Sequence, residues 1–508
     1  MALDADSIRE LIPRFAEASE RFYSGQMTAK EFKGISGGFG SYAQRCGDRG
    51  MVRLRLSGGR IDRTRLKFIA DTVERYRPSM VHLTTCQSVQ LHNLDGNVIP
   101  DIVDAAMDAG IFTYQGGGDN PRNVTATPLS GIIPAPLDVQ PYAYCAERYV
   151  SGYAHGRRMP RKLKIGFANT LENGTDSTAR DLGFVVRENG RFDVYSGGGL
   201  GPNPRLGLLV AEDVDPRDLC VYITAMVDMF IENGNFENRA RARVRYMRDT
   251  LGDEGYTRRF REHVDRALAD PSVPRVEPEG METRKTGDGS VPTCPRARRQ
   301  KQEGLYYIPY HPLGGDPDPG IFGRILSATE DMEDVEVRVS PAQTLYVVNL
   351  TGREADIVAD LLSDGAETLF QASVACVGST ICQQGLRDSH GLLMELLGME
   401  RRNGFGDGVL PMVRISGCVS SCAAHQLGTV GLRGTTVDGE PAFTVNVNGS
   451  HLLGRERIGE DIGSVLTSEL PAFFETIGRA VQASGKRFRE WFNEDPSRLR
   501  TLCGEYLH

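Results

Sequence analysis

No run in this chain approaches eighteen consecutive apolar residues, which argues against a membrane-spanning helix. The N-terminus carries early acids, Asp4 and Asp6, and lacks a basic-then-apolar pattern, so no secretory signal is expected. Basic charge is not in excess either. Lys and Arg number 59 against 67 Asp and Glu, a net charge of −8, which argues against a nucleic-acid partner. Cysteine is too sparse for a disulfide framework, with ten in 508 residues. Glycine-rich stretches at 34–40 and 197–201 lack the strand before and helix after that a dinucleotide fingerprint requires, so no nicotinamide or flavin site is evident. They read instead as tight turns or as places where backbone approaches a bound group. The expectation is a soluble cytoplasmic protein of two to four domains, with no nucleic acid and no membrane.

What the chain does have is four cysteines as two pairs near its C-terminal end. Cys376 and Cys382 have five residues between them, and Cys418 and Cys422 have three. Two thiolate pairs on separate segments can converge on a [4Fe–4S] cube. Structural zinc is the competing reading, but its pairs usually enclose two to four residues, which suits only Cys418 and Cys422. Cys46, Cys86, Cys145, Cys220, Cys294 and Cys503 read as small buried hydrophobes.

Self-comparison reveals a repeat. Val81 to Leu94 lies over Val337 to Leu350 at one constant offset, which superposes Gln87 on Gln343, Asn93 on Asn349 and Gly58-Gly59 on Gly314-Gly315. Further on, Phe192-Asp-Val-Tyr-Ser resembles Phe443-Thr-Val-Asn-Val. Within the first copy, Met51 to Leu56 alternates apolar and charged residues, so Arg53 and Arg55 should leave one sheet face. A helix is expected over 64–76, followed by a strand. Alternating strand and helix is the half-order of a ferredoxin-like unit, and two such halves would pair across a pseudo-twofold axis. Residues 232–268 read as a charged helical stretch, and 270–304 as a linker wrapping the surface.

The cysteines lie in segments that carry a family resemblance. Val374-Ala-Cys-Val-Gly-Ser-Thr-Ile-Cys382 and Arg414-Ile-Ser-Gly-Cys-Val-Ser-Ser-Cys422, followed by Gly428-Thr-Val-Gly-Leu-Arg-Gly434, resemble the signature of siroheme-dependent sulfite and nitrite reductases. The resemblance implies an α+β, internally duplicated sulfite/nitrite reductase fold. Ferredoxin-like half-domains pair across the pseudo-twofold axis, and two siroheme/cluster-binding α/β lobes are added. The expected segments are 1–125 (N-terminal helix and first half), 126–269 (first siroheme-facing lobe), 270–304 (linker), 305–370 (second half) and 371–508 (cluster and siroheme lobe). It also implies siroheme and a [4Fe–4S] cluster, with Cys376, Cys382, Cys418 and Cys422 as metal ligands and Cys422 shared with the siroheme iron. A reservoir wired to the substrate-holding iron suits a six-electron reduction fed one electron at a time.

In that family two arginines and two lysines surround the substrate. The matching positions are Arg53 in Met51-Val-Arg-Leu-Arg, Arg122 in Gly118-Asp-Asn-Pro-Arg-Asn-Val124, and Lys162 with Lys164 in Pro160-Arg-Lys-Leu-Lys164. Such cations offset desolvation of a small anion and hand over protons. Taken singly, each reads as a solvated surface charge; their joint occurrence points to a cage. Arg45, Arg55, Gln87 and Gln90 are the expected cofactor contacts. The chain departs from the family in His82 and Cys86, where arginines usually grip the macrocycle, and in Val419 and Ser420, which replace Pro-Asn.

The expected reaction is sulfite to sulfide, with Lys164 favouring sulfite because plant-type nitrite reductases usually have asparagine there. Nitrite to ammonia is the alternative, favoured by the Gly118-Asp-Asn-Pro-Arg-Asn motif, and a divergent paralogue acting on another sulfur or nitrogen oxyanion is a third. From other classes come a non-catalytic electron-transfer or sensor module and a zinc-stabilised scaffold. Electrons are expected from an external ferredoxin or flavoprotein.

Overall fold

The computed structural model describes residues 4–172 and 174–508. They form two compact units. One comprises residues 1–199, 205–310 and 317–363, the other 200–204, 311–316 and 364–508. The expected lobe 126–269 thus coheres with both ferredoxin-like halves.

The first unit holds the paired halves. In the first half, strands Ser41–Ala43, Gly50–Leu54, Val89–Leu94 and Met80–Leu83 lie side by side in that order, all antiparallel. Val52, Leu54, Val81, Leu83, Val89 and Leu91 are buried from this sheet. Against it packs helix Arg63–Tyr76, which starts one residue before the expected position because the Asp62 side chain caps it by accepting the Arg65 N–H. The second half repeats the arrangement with strands Arg298–Arg299, Tyr306–Tyr310, Leu345–Leu350 and Glu336–Val339. Arg60–Ile61 of the first half extends that second sheet beside Glu336–Val339. Each half runs strand, helix, strand, strand, helix, so a hairpin stands where simple alternation was expected.

One apolar core serves both halves, from Ile8 to Ile111 and from Tyr306 to Leu362. Across it the repeat is expressed atom by atom. Gln87 Nε2 donates to Val339 O at 2.8 Å, and Gln343 Nε2 donates to Leu83 O at 2.9 Å. Each amide therefore finishes a strand of the other half. Asn93 and Asn349 both take positive φ, and each exchanges two hydrogen bonds with Gln44 or Gln300, which stand at the same repeat offset. Arg60 and Arg338 both pair with buried Glu336.

The remainder of this unit is an α/β lobe with its own core. Its strands run in the order Leu208–Val214, Phe192–Ser196, Leu182–Val186, Ile165–Ala168 and Thr125–Ala126, parallel over the last three and antiparallel beyond. The expected helical stretch 232–268 is interrupted. Helix Leu219–Asn233 ends before Gly234, the Asn235 side chain accepts the N–H groups of Glu237 and Asn238, and helix Met247–Ala269 starts afresh with a kink at Gly252. The linker is largely irregular and anchored: Lys285 Nζ is buried on Glu333 O, Asn349 O and Glu354.

The second unit repeats the lobe. Its strand order is Val374–Ala375, Val413–Ser416, Val430–Val437, Glu440–Val447 and Glu460–Leu466, again parallel over the first three and antiparallel after. Helices Ser389–Asn403 and Leu470–Ser484 contribute to its core. Among the described residues no helix is long and apolar enough to cross a membrane.

Candidate functional site

In the first unit, basic side chains from four segments converge on the hairpin between Met80–Leu83 and Val89–Leu94. Thr84 shapes this turn, its Oγ1 accepting the N–H groups of Cys86 and Ser88. Asn123 holds it from outside, donating to Leu56 O at 2.8 Å and Cys86 O at 2.7 Å. Half-buried Cys86 lies within electrostatic reach of Lys164, Arg180, Arg53 and Lys162. Burial alone would push this thiol up, but the four cations outweigh burial and pull it down to about 6.

Arg53 and Arg122 are held from behind. Arg53 donates to Gly116 O at 2.8 Å, and with the Gln90 amide oriented to satisfy both ends, the Gln90 oxygen accepts from Arg53 Nη2 and Nε at 2.7 and 2.9 Å. Gln90 then donates to His92 Nε2 at 3.2 Å. Arg122 grips its own loop through Gly118 O and Asn120 O at 2.8 and 3.1 Å, and burial lowers its pKa to about 10, leaving it charged at neutral pH. That loop needs glycine at 117, where a Cβ would stand 2.2 Å from the Tyr42 hydroxyl and 2.3 Å from Gly37 O. Lys162 and Lys164 precede strand Ile165–Ala168 in extended backbone, with Leu163 bridging to Pro121 and the Lys164 N–H donating to Asp181 at 2.8 Å.

Arg53, Lys162 and Lys164 thus come together as candidate anion ligands, with Arg122 in electrostatic contact with Arg53 and Cys86. Sequence reasoning missed Arg180, a buried guanidinium that donates to Thr175 O at 2.9 Å and faces Asp176 at 3.8 Å. Its only trace was one more Arg-Asp pair on a charged chain. Two expected cofactor contacts have other occupations. The buried Gln87 amide is saturated by Gly58 O, Ala126 O, Val339 O and the Ala126 N–H, and the Arg55 guanidinium is paired with Glu147 and bonded to Tyr114 O. The Gln87 donors are spent inside the protein, whereas the Arg55 Nε donor is buried with no partner among the described residues. Arg45 is exposed.

In the second unit the four cysteines follow two adjacent parallel strands at their carboxyl ends, a common ligand position in α/β sheets. Cys376 follows Val374–Ala375, Cys382 closes the short helix Gly378–Ile381, and Cys418 and Cys422 follow Val413–Ser416. The Gly417 N–H donates to Cys376 Sγ at 3.2 Å, and the Ser389 hydroxyl lies 3.1 Å from that sulfur. Burial, and secondarily the neighbouring Cys418, raise the Cys376 thiol, so a cationic partner is needed to hold it ionised. Loop crossings here leave no room for side chains: a Cβ on Gly417 would meet Arg387 O at 2.5 Å. Among the described residues no three His, Cys, Asp or Glu side chains close on a single metal ion. The donor set, four thiols with an N–H aimed at sulfur, fits an iron–sulfur cluster. In the first unit the buried arginines fit a polycarboxylate macrocycle, and the Arg243 Nε donor is buried with no partner among the described residues.

The family pattern "Nitrite and sulphite reductase 4Fe-4S domain" matches residues 117–268, and "Nitrite/Sulfite reductase ferredoxin-like half domain" matches residues 42–109. The chain is 25% identical over 482 residues to "Sulfite reductase [ferredoxin] 2" of Mycolicibacterium paratuberculosis, covering 87% of this chain and 81% of that protein. It is 24% identical over 437 residues to the chloroplastic "Ferredoxin--nitrite reductase" of Arabidopsis thaliana, covering 81% and 71%. Over 441 residues it is 26% identical to the "Sulfite reductase [NADPH] hemoprotein beta-component" of Chromohalobacter salexigens, covering 76% and 74%. The solved structure of Mycobacterium tuberculosis NirA has the same fold, with a TM-score of 0.77 over 97% of both chains at 22% identity.

Proposed function

The chain belongs to the siroheme-dependent sulfite and nitrite reductase family, and from that premise we propose that it reduces sulfite to sulfide. It is an oxidoreductase whose cofactors are siroheme and a [4Fe–4S] cluster. When bound, these supply the electrons and the open iron position at which a small anion is held. Cys376, Cys382, Cys418 and Cys422 would hold the cluster, and Arg243, with its buried Nε donor, and the buried Arg245 are the candidates for siroheme carboxylates.

The observation that carries this reading is the convergence of Arg53, Lys162, Lys164 and Arg180 on one turn. Four cations at one place repel each other unless an anion joins them. A small oxyanion entering the cluster exchanges its water shell for fixed N–H donors, which orient its oxygens and stabilise the charge that develops as they leave. Gln90 keeps the Arg53 guanidinium fixed, so no reorganisation is needed when the anion arrives. An external ferredoxin or flavoprotein would deliver the electrons.

Nitrite reduction to ammonia is the second reading, supported by the Gly118-Asp-Asn-Pro-Arg-Asn loop and by relatives named as nitrite reductases. Steady-state kinetics of the holoprotein with both anions separate the two. Lys164→Asn should lower kcat/KM for sulfite about tenfold more than for nitrite, the value of one lost charge-assisted contact. An equal effect on both anions would remove the argument for sulfite.

A further inference from the structure

We infer that Ser389 raises the reduction potential of the iron–sulfur cluster, its hydroxyl donating to the Cys376 sulfur in a hydrogen bond that strengthens on reduction. The inference rests on the ligand assignment proposed above and goes beyond it to a residue that binds no iron. Three observations within the cysteine lobe carry it. Ser389 opens helix Ser389–Asn403, is fully buried, and places its Oγ 3.1 Å from Cys376 Sγ. The same hydroxyl donates to Cys376 O at 2.7 Å, so one proton has two acceptors on one residue. The Gly417 N–H meets that sulfur at 3.2 Å, and the crossing is tight: a Cβ on Gly378 would stand 3.1 Å from Ser389 Oγ, and one on Gly417 3.3 Å from it.

The lobe of the first unit shows what the same positions do without cysteines. Thr125–Ala126 and Val374–Ala375 are equivalent edge strands, so Thr127 stands where Cys376 does, Asn169 where Gly417 does and Gln140 where Ser389 does. The Asn169 N–H donates to Thr127 Oγ1 at 3.2 Å, as the Gly417 N–H does to sulfur. Gln140 Nε2 donates to Thr127 O at 3.0 Å, as the Ser389 hydroxyl does to Cys376 O. Tying the helix start to that carbonyl is therefore an architectural task, and an amide performs it. The cysteine lobe differs in having a hydroxyl there that also reaches the side chain after the strand. Once Cys376 has given up its proton to bind iron, only the hydroxyl can donate across the 3.1 Å contact. An electron arriving from the external donor adds negative charge that the ligand sulfurs share. The hydroxyl proton is then drawn from the carbonyl toward sulfur, which stabilises the reduced form more than the oxidised one. No bond to iron forms or breaks in this response.

The test is a redox titration of the holoprotein, with the cluster followed by electron paramagnetic resonance and the siroheme by visible absorption. Ser389→Ala is expected to lower the ratio of reduced to oxidised cluster at a fixed potential about tenfold, a fall of about 59 mV in its midpoint. Ser389→Cys keeps a weaker donor, so its cluster midpoint should fall by less. In both variants the siroheme midpoint should move less than that of the cluster, because a general loosening of the fold would shift the two together. Either variant that keeps its iron and titrates with wild type overturns the inference. Loss of iron from both does so as well, since Ser389 is then only a structural support. If Cys376→Ala retains iron at the wild-type level, the ligand assignment itself falls and takes the inference with it.

Discussion

Gln90 illustrates how little of a site is the group that touches substrate. Its carbonyl oxygen takes two N–H donors of Arg53 while its amide nitrogen is satisfied by His92, so the guanidinium has one orientation before any anion arrives. Gln90→Leu should therefore raise KM for the reduced anion about tenfold and change kcat less, because the arginine keeps its charge but loses its aim. Steady-state kinetics separate the two parameters, and an unchanged KM would contradict this role. Arg53, Lys162 and Lys164 were singled out in the sequence by their motifs, and the fold brings them near one turn. Gln87 and Arg55 were legible as important, but spacing cannot tell which of their donors are spent on carbonyls and carboxylates from distant segments. Arg180 was illegible: its place beside Cys86 follows from the fold of a loop that no motif marks.

Secondary-structure elements are locked together by polar groups as much as by apolar packing. Glu336 is the clearest case, a buried carboxylate shared by Arg60 of the first half and Arg338 of its own strand. Burial opposes its charge, yet Arg338 and Arg60 hold it below the usual carboxylate range. Glu336→Gln leaves two guanidiniums short of a counter-charge and should cost about 3 kcal/mol, measured as a lowered denaturation midpoint of the holoprotein. Gln343→Leu strands Leu83 O in the core and should cost about 2 kcal/mol by the same measurement. The helices and strands of each half were readable from apolar periodicity. The hairpins 83–89 and 339–345 were not, because strand pairs there are closed by glutamines at positive φ, where glycine or asparagine is the usual signal.

At the scale of the molecule, the duplication was visible in the sequence as a constant offset and reappears in both pairs of sheets. Its grouping into two compact units was not, because contacts between distant segments have no local pattern. Two histidines make the folded chain sensitive to acid. Burial lowers His92 to about 3 and His311 to about 4. The unfolded chain takes up these protons near 6.5 and the folded one resists them, so the stabilisation is complete above about pH 6.5 and lost as pH falls toward 4 and then 3. The Tm of the holoprotein should decline over that window, and His92→Gln should flatten the decline. In the cysteine lobe, Cys418→Ser should lower bound iron and visible absorption, since three thiolates leave one cluster iron without its ligand. Iron content at the wild-type level would remove Cys418 from the ligand set.

The exchanged glutamine amides have a genealogical consequence. A half-length chain carrying only one of them would bury an amide and a carbonyl with nothing to meet, and two identical copies would cure this by clasping each other. Joining such a pair end to end makes the clasp permanent and frees its two sides to drift: Gln343 now meets a histidine, while Gln87 spans three carbonyls. The same freedom accommodates two unlike lobes, one with four cysteines after its parallel strands and one with cations around a single thiol.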